Sequence, residues 1–285
     1  MPELQELLAS PLSPLFSFLV RQSLLFGHFV DQLLCRQLCS DNTNEIWFLF
    51  AGQPFRFSLI EFAEVTGLCC SSFPPVPELL SATTHADGSA PYWYTLIGRQ
   101  LGTATVDDLV LSLKSDKTMS AWRKFRLPLV AIVEGILLCR TQPVKPSVEV
   151  VEMVKNVEFF LHYPWGLHSF NRIIRMVWVG DYIADNASLI RKLQQSSMDV
   201  HGFPLAIQLF AFRTIPALLK YLPHLDDHST FLHQTVAYLP KCRAFHASNI
   251  FAVENDTTVW SIHLYTCGIL FWLFFLTFHL FHLGG

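Results

Sequence analysis

The stretch Ile46-Trp-Phe-Leu-Phe-Ala-Gly-Gln-Pro-Phe-Arg-Phe-Ser-Leu-Ile-Glu-Phe-Ala-Glu-Val-Thr-Gly-Leu68 decides the fold. Two aromatic runs, Ile46–Phe50 and Phe55–Phe57, flank Gly52-Gln-Pro54, which is the pattern of two short strands joined by a tight turn. Ser58 and Glu61 follow, three positions apart at the start of an apolar run. That is the spacing of a capping box, in which the two side chains satisfy backbone N–H groups that open a helix. Gly67 supplies the left-handed residue that closes one. The stretch therefore predicts a β-hairpin over about residues 46–57 and a helix over Leu59–Thr66.

Helical signals dominate on either side. Leu24–Cys39 carries Leu24, Leu25, Phe29, Leu33, Leu34 and Leu38 on one broad stripe, and Asp41–Asn44 breaks it. Ser71–Pro91 holds Pro74, Pro75, Pro77, Gly88 and Pro91, which predicts a flexible loop. Thr105 with Asp108 starts a helix to about Leu113. Ser120–Arg140 predicts a longer helix bent at Pro128, and Ser147–His162 is periodic throughout. Pro164-Trp-Gly166 predicts a turn, and Ser169–Gln195 one or two helices. Phe203–Leu222 reads as helical, with Pro204 tolerated in the first turn and Pro216 as a break. The expectation is mainly α: a lead-in over residues 1–23, a single helical domain over 24–256 with one small hairpin, and a C-terminal hydrophobic helix.

That last helix comes from the charge distribution. Of 285 residues 51% are hydrophobic and 14% aromatic, with 25 Phe, but only 15% are charged, against about 25% in ordinary soluble domains. This excludes a disordered chain. Seven Cys exclude a disulfide-dense miniprotein. The formal net charge of −3 makes a nucleic-acid partner held by bulk charge an unsuitable reading. Residues 257–285 contain no Lys, Arg, Asp or Glu. Within them Leu264–Leu283 has the ~20-residue length that crosses a hydrocarbon core. It is a candidate transmembrane helix, with Leu264, Phe271, Trp272, Phe275 and Leu283 among its anchoring side chains. The reading is membrane localisation as a tail anchor with the body cytosolic, and a lipid bilayer as partner. Glu3 and Glu6 stand where a secretory signal carries basic residues, so the thiols are expected to be reduced. Cys35/Cys39 and Cys69/Cys70 lack zinc-ligand spacing.

Several blocks besides the hairpin carry a family resemblance. Phe26-Gly27 precedes it, and Tyr92-Trp93 follows the loop. Glu158-Phe-Phe-Leu-His-Tyr-Pro-Trp-Gly166 comes next with Ser169-Phe170, then Gly202-Phe-Pro-Leu-Ala-Ile-Gln-Leu209 and Ile215-Pro216. In this order they resemble a plant domain-of-unknown-function family of transposon-derived proteins, often found upstream of a ubiquitin-like-protease (SUMO-protease-type) domain. The resemblance spans about residues 24–250 and implies a domain without assigned activity, nuclear or cytoplasmic by association. The protease itself is not matched. His201 and Cys242 have no protease-like motif around them, and too little chain follows Gly202 for such a domain.

The remaining candidates favour interaction over catalysis. Trp165 and Tyr163 at the Pro-Trp-Gly turn, with Trp47 on the hairpin, are candidate protein-contacting aromatics, although a plug between two helices is the favoured reading of Trp165. Trp122-Arg-Lys-Phe-Arg126 is the densest basic run and reads as a solvated helix face. Glu61/Glu64 and Asp226-Asp-His228 lack matching metal ligands, and read as a cap and a polar loop. No glycine-rich phosphate loop, GxSxG elbow or HExxH occurs. No catalytic residue, cofactor, metal or small-molecule ligand is expected. The functional expectation is a non-enzymatic interaction or scaffold domain with an unidentified protein partner. The alternatives are a tail-anchored membrane protein or an inactive remnant of a protease-associated protein.

Overall fold

In the computed structural model the described residues are 2–83, 91–140, 142–177, 200–224, 226–233 and 245–256. The hairpin forms as β2 (Glu45–Phe50) and β3 (Gln53–Ser58), antiparallel, with Ile46 opposite Phe57 and Phe50 opposite Gln53. Its two-residue turn, Ala51-Gly52, has φ of 48° and 76°. Two positive φ values match the right-handed twist of the flanking strands. Before it come α1 (Pro2–Leu8), α2 (Gly27–Leu34) and β1 (Gln37–Leu38). After it comes α3 (Leu59–Thr66), with the expected bounds. The capping box is present: Ser58 N–H donates to Glu61 Oε2 at 2.8 Å, and Ile60 N–H donates to Ser58 Oγ at 3.2 Å. Gly67 closes the helix at φ 68°.

Other expectations need correction. The helix over 24–39 is confined to Gly27–Leu34, because Gln37 and Leu38 pair with Phe48 and Trp47 as a third strand. Apolar spacing cannot see that competition, since Leu38 is apolar in either state. The sheet is thus three-stranded, in the order β1-β2-β3. The loop over 71–91 contains α4 (Val76–Thr83). Pro77 sits in its first turn, where no N–H is needed, and Glu78 complements the N-terminal dipole. Residues 84–90 lie outside the described residues.

Downstream are α5 (Tyr92–Leu96), α6 (Val106–Ser115) and α7 (Ala121–Ile132), which runs into a π-helical turn at Val133–Leu137. The Thr105–Asp108 capping box opens α6 as expected. The single helix over 147–162 is two, α8 (Val148–Met153) and α9 (Val157–His162). Asn156 splits them by capping the second: its Oδ1 accepts from Phe159 N–H at 3.1 Å. The Pro-Trp-Gly turn is the entry to α10 (Trp165–Val177), with Gly166 already helical. The part of the 169–195 expectation beyond Val177 lies outside the described residues. α11 (Leu205–Thr214) follows, then a 3₁₀ turn at Pro216–Tyr221, where Pro216 breaks the helix as expected, and α12 (Ala247–Glu254).

α11 is the hub. Every residue from Leu205 to Phe212 is buried, as expected of a helix apolar all round. Phe57 of β3 meets Phe210 at 5.2 Å and Phe170 at 6.0 Å between ring centroids, and Phe62 of α3 meets Phe170 at 5.7 Å. Each buried Phe contributes about 1.5–3 kcal/mol. The segment read as a lead-in supplies Leu7, Leu12, Leu15 and Val20 as further buried side chains. No helix among the described residues is long and apolar enough to cross a membrane. The expected helix over 264–283, with Leu264, Phe271, Trp272, Phe275 and Leu283, lies outside the described residues.

Candidate functional site

The Tyr163-Pro-Trp-Gly166 block is built from the end of α9. Tyr163 precedes a proline and is held extended, at φ −62° and ψ 139°, which stops the helix. Pro164 then starts α10, with His168 N–H donating to the Pro164 carbonyl at 3.0 Å. The indole of Trp165 folds back into the corner, and its Nε1–H donates to the Phe160 carbonyl at 2.7 Å. Trp165 is only 2% exposed, and its ring lies 4.9 Å from Phe160 and 4.5 Å from Tyr163. It is a plug between two helices, not a surface aromatic.

Gly166 has a different task. Its N–H donates to the Cys69 carbonyl at 3.0 Å. A Cβ there would stand 2.6 Å from that carbonyl oxygen and 2.6 Å from Cys70 Sγ. The absence of a side chain lets α10 lie directly on the strand of chain that follows α3. Burial raises the Cys70 thiol to about 12, so it stays protonated and unreactive.

Over this junction runs a small aromatic cluster. Phe73 approaches Tyr163 at 5.9 Å and His168 at 6.0 Å. The Tyr163 hydroxyl lies 3.4 Å from His168 Nδ1. Burial, then the nearby Arg172, Arg140 and Arg175, pushes His168 down to about 4. Burial pushes Tyr163 up to about 12. Both are neutral at pH 7, so the hydroxyl can donate to the imidazole.

Beside the cluster opens a groove of about 410 Å³. Ser71, Pro74 and Glu78 form one wall, and Glu158, Phe159 and His162 the other. The His162 ring nitrogen Nδ1 donates to the Glu158 carbonyl at 2.9 Å, which steadies the wall. Phe73, Val76 and Leu80 are exposed along the adjoining segment, Val76 by 67%. Val76 and Leu80, one turn apart, share a face of α4, whereas Phe73 precedes the helix and Glu78, two positions from each of them, lies on the other flank and lines the groove. The groove thus sets two carboxylates beside the apolar surface of Pro74 and Phe159.

The other predicted residues fall elsewhere. Trp47 is half-buried on β2, opposite Leu38 and Arg56, and its Nε1–H donates to Glu45 Oε1 at 2.9 Å. The structure does not bring it to Tyr163 and Trp165. Glu61 caps α3, and Glu64 pairs with Arg213 at 3.0 Å. Asp227 accepts from Ser229 N–H at 2.8 Å in a polar loop. Arg123 Nε–H donates to the Leu96 carbonyl at 3.0 Å, so part of the basic run is spent inside the fold. Cys242 lies outside the described residues. Among the described residues no group of three His, Cys, Asp or Glu is placed to hold a metal ion.

Three buried polar residues escaped the sequence reading. Gln208 accepts from Phe26 N–H at 2.9 Å and donates to the carbonyls of Gln22 and Leu24 at 2.9 and 2.7 Å. It ties the Phe26-Gly27 block to the Gly202–Leu209 block. Glu152 accepts from Tyr92 N–H at 2.6 Å and so caps α5. Glu134 accepts from Ser147 N–H at 2.8 Å and from the Ser147 hydroxyl, anchoring the start of α8. A lone polar residue inside an apolar run was the available signal in each case.

A family model described as Domain of unknown function (DUF1985) matches residues 34–176, half of the chain. The match includes the hairpin, Tyr92-Trp93 and the Tyr163–Gly166 block, and stops before Gly202. No curated protein and no solved structure matches.

Proposed function

The chain belongs to the family described as Domain of unknown function (DUF1985), and from that membership we propose that it is a non-enzymatic protein-interaction domain. One observation carries this reading. The distinctive motif residues are spent on architecture, while Pro74, Glu78, Glu158 and Phe159 wall an open groove beside them. A groove that sets apolar Pro74 and Phe159 beside two carboxylates suits a protein segment that carries apolar side chains between Lys or Arg residues. The partner is a protein recognised by that chemistry. The ordered motif blocks add descent from plant transposon-encoded proteins to the proposal.

The test is selection of 12-residue peptides from a displayed random library on the full chain. Peptides pairing Leu, Phe or Trp with Lys or Arg are expected to be enriched, and to lose at least tenfold in affinity against Glu78→Lys combined with Glu158→Lys. Both changes are at the surface, so the fold is retained. Equal selection by the variant would refute the assignment of this surface, and a reproducible turnover of substrate would refute the non-enzymatic reading.

A second reading rests on Leu264–Leu283, whose length and lack of charge suit a bilayer. It proposes a tail anchor with the body in the cytosol. Retention of the full chain in membranes after alkaline carbonate extraction is the expected result, and release into the supernatant overturns it.

A further inference from the structure

A second groove, of about 670 Å³, lies away from the junction of α9 and α10. Phe16, Phe18 and Leu25 form one side, and Ile136, Phe203 and Phe231 the other. Among the described residues no Lys, Arg, His, Asp or Glu lines it, and its most polar members are Ser23 and Cys139. Leu25 is 51% and Ile136 44% exposed at its rim. The walls are firmly set. Val20 N–H donates to the Ser229 carbonyl at 3.0 Å, and Leu232 N–H to the Phe16 carbonyl at 3.2 Å, so residues 229–232 are strapped to residues 16–20. Gly202 N–H donates to the Cys139 carbonyl at 3.0 Å on the opposite side. An apolar concavity of this volume is of the size that proteins use to enclose ligands, and it is unusual for one to face water uncovered.

The chain contains its own matching surface. We propose that this groove receives the apolar segment Leu264–Leu283 of the same chain when no bilayer is engaged. Chemistry supports the pairing, since an uncharged segment rich in Phe and Leu meets a groove with no charged side chain among the described residues. Reach supports it as well. Asp256, the last described residue, lies 3.8 Å from Lys220 Nζ on the 3₁₀ turn that follows α11. The groove is at the other end of α11, at Phe203 and Leu205. α11 spans about 15 Å at helical rise, and the 3₁₀ turn adds about 12 Å. Together these are about 27 Å, which about nine extended residues from 257 onward cover, so the first residues of the apolar segment reach the groove. The groove admits a handful of large side chains, so it would cover one face of the segment rather than all of it. The proposal does not depend on the peptide surface at Glu78 and Glu158.

The chain carries a native reporter pair: Cys139 lines the groove, and Cys267 lies in the segment. The full chain, in buffer without lipid or detergent, is treated with a short bis-maleimide, and the products are mapped by mass spectrometry. A mixture of isotopically light and heavy chains separates links within a chain from links between chains. A Cys139–Cys267 link within one chain is the expected result. Ile136→Asp, an exposed rim position that leaves the core intact, is expected to reduce the link at least fivefold. It is also expected to increase flotation of the chain with phosphatidylcholine vesicles. The proposal is overturned if the link forms only between chains, if it is absent from folded chain, if Ile136→Asp leaves it unchanged, or if the chain is recovered only with membranes. Carbonate extraction reports on the anchor independently, so failure of the groove and failure of the anchor are told apart.

Discussion

The hairpin unit, residues 45–67, and the α9–α10 junction, residues 157–170, are both built from distinctive sequence, but their residues act over different distances. In the hairpin unit the determinants are neighbours. Ala51-Gly52 turns the strands, Ser58 and Glu61 together cap the start of α3, and Gly67 stops it. In the junction the determinants meet chain that is remote in sequence. Gly166 exists for the Cys69 carbonyl, and His168 for the cavity among Phe73, Tyr163 and Trp165. A local code fixes backbone conformation one turn at a time. A remote code fixes how whole elements approach, so its residues should be far less replaceable.

The largest separation is expected between the two tryptophans. Trp165→Ala removes a fully enclosed ring and the hydrogen bond to Phe160, for a loss of about 3–5 kcal/mol. Trp47→Ala, half-buried on the outer face of β2, should cost about 1 kcal/mol or less. Urea denaturation of the two variants measures both. Equal losses would mean that the hairpin is packed as deeply as the junction, and the comparison would fail.

The glycines come next. Gly166→Ala drives a Cβ to 2.6 Å from a backbone oxygen that cannot swing aside, and should cost about 3 kcal/mol. Gly52→Ala meets no atom within 4 Å and bears only the cost of a positive φ, about 1–2 kcal/mol. Melting temperatures should rank them in that order.

Acid should separate the regions too. His168 is held at about 4 in the fold by burial and by Arg172, Arg140 and Arg175, whereas a free histidine titrates near 6.5. Between these values the unfolded chain takes up a proton that the folded chain refuses. Stability therefore falls as pH drops from about 6.5 to about 4, by about 2–3 kcal/mol in total. In His168→Gln the decline over this window should flatten. The hairpin unit has no matching histidine, and its shifted carboxylate, Glu61, is lowered by hydrogen bonds from Ser58 and Arg56 despite burial. That contribution is lost only below the ordinary carboxylate range.

The same contrast explains which parts could be read in advance. α3 could be read to the residue, and so could the Thr105–Asp108 start of α6, because caps and stops are local chemistry. β1 could not, because Gln37 and Leu38 become a strand only when Trp47 and Phe48 are beside them. The 71–91 stretch misled for a related reason. Proline clusters suggest loops, yet Pro77 falls in the one turn of a helix that tolerates it. The Tyr163–Gly166 block was conspicuous as sequence, but its task was hidden, since nothing near it in the chain names Cys69 as the partner. The polar groove was equally invisible, because it exists only once α4 packs on α8 and sets Glu78 across from Glu158 of α9.

The smallest expected effect is the one that tests how local the local code is. Ala51 sits at φ 48°, a conformation that asparagine adopts more readily than alanine. Ala51→Asn should therefore stabilise the chain by about 0.5 kcal/mol, an increase where the other substitutions produce losses. The turn is not isolated, however. Ala51 N–H donates to Glu254 Oε1 at 3.4 Å, and Glu254 is itself held by Arg36 Nη2 at 2.8 Å. α12 thus reaches back across the sequence to touch the hairpin turn. If the turn is set by its own two residues, Glu254→Gln will lower stability, and the gain from Ala51→Asn will be the same in either background. If Glu254 instead holds Ala51 in its positive φ, the two changes will be coupled by more than the ~0.3–0.5 kcal/mol within which independent sites add. A double-mutant cycle in urea decides between them. Coupling would move the hairpin turn from the local class into the remote one, with α3 and its caps left as the autonomous part of the unit.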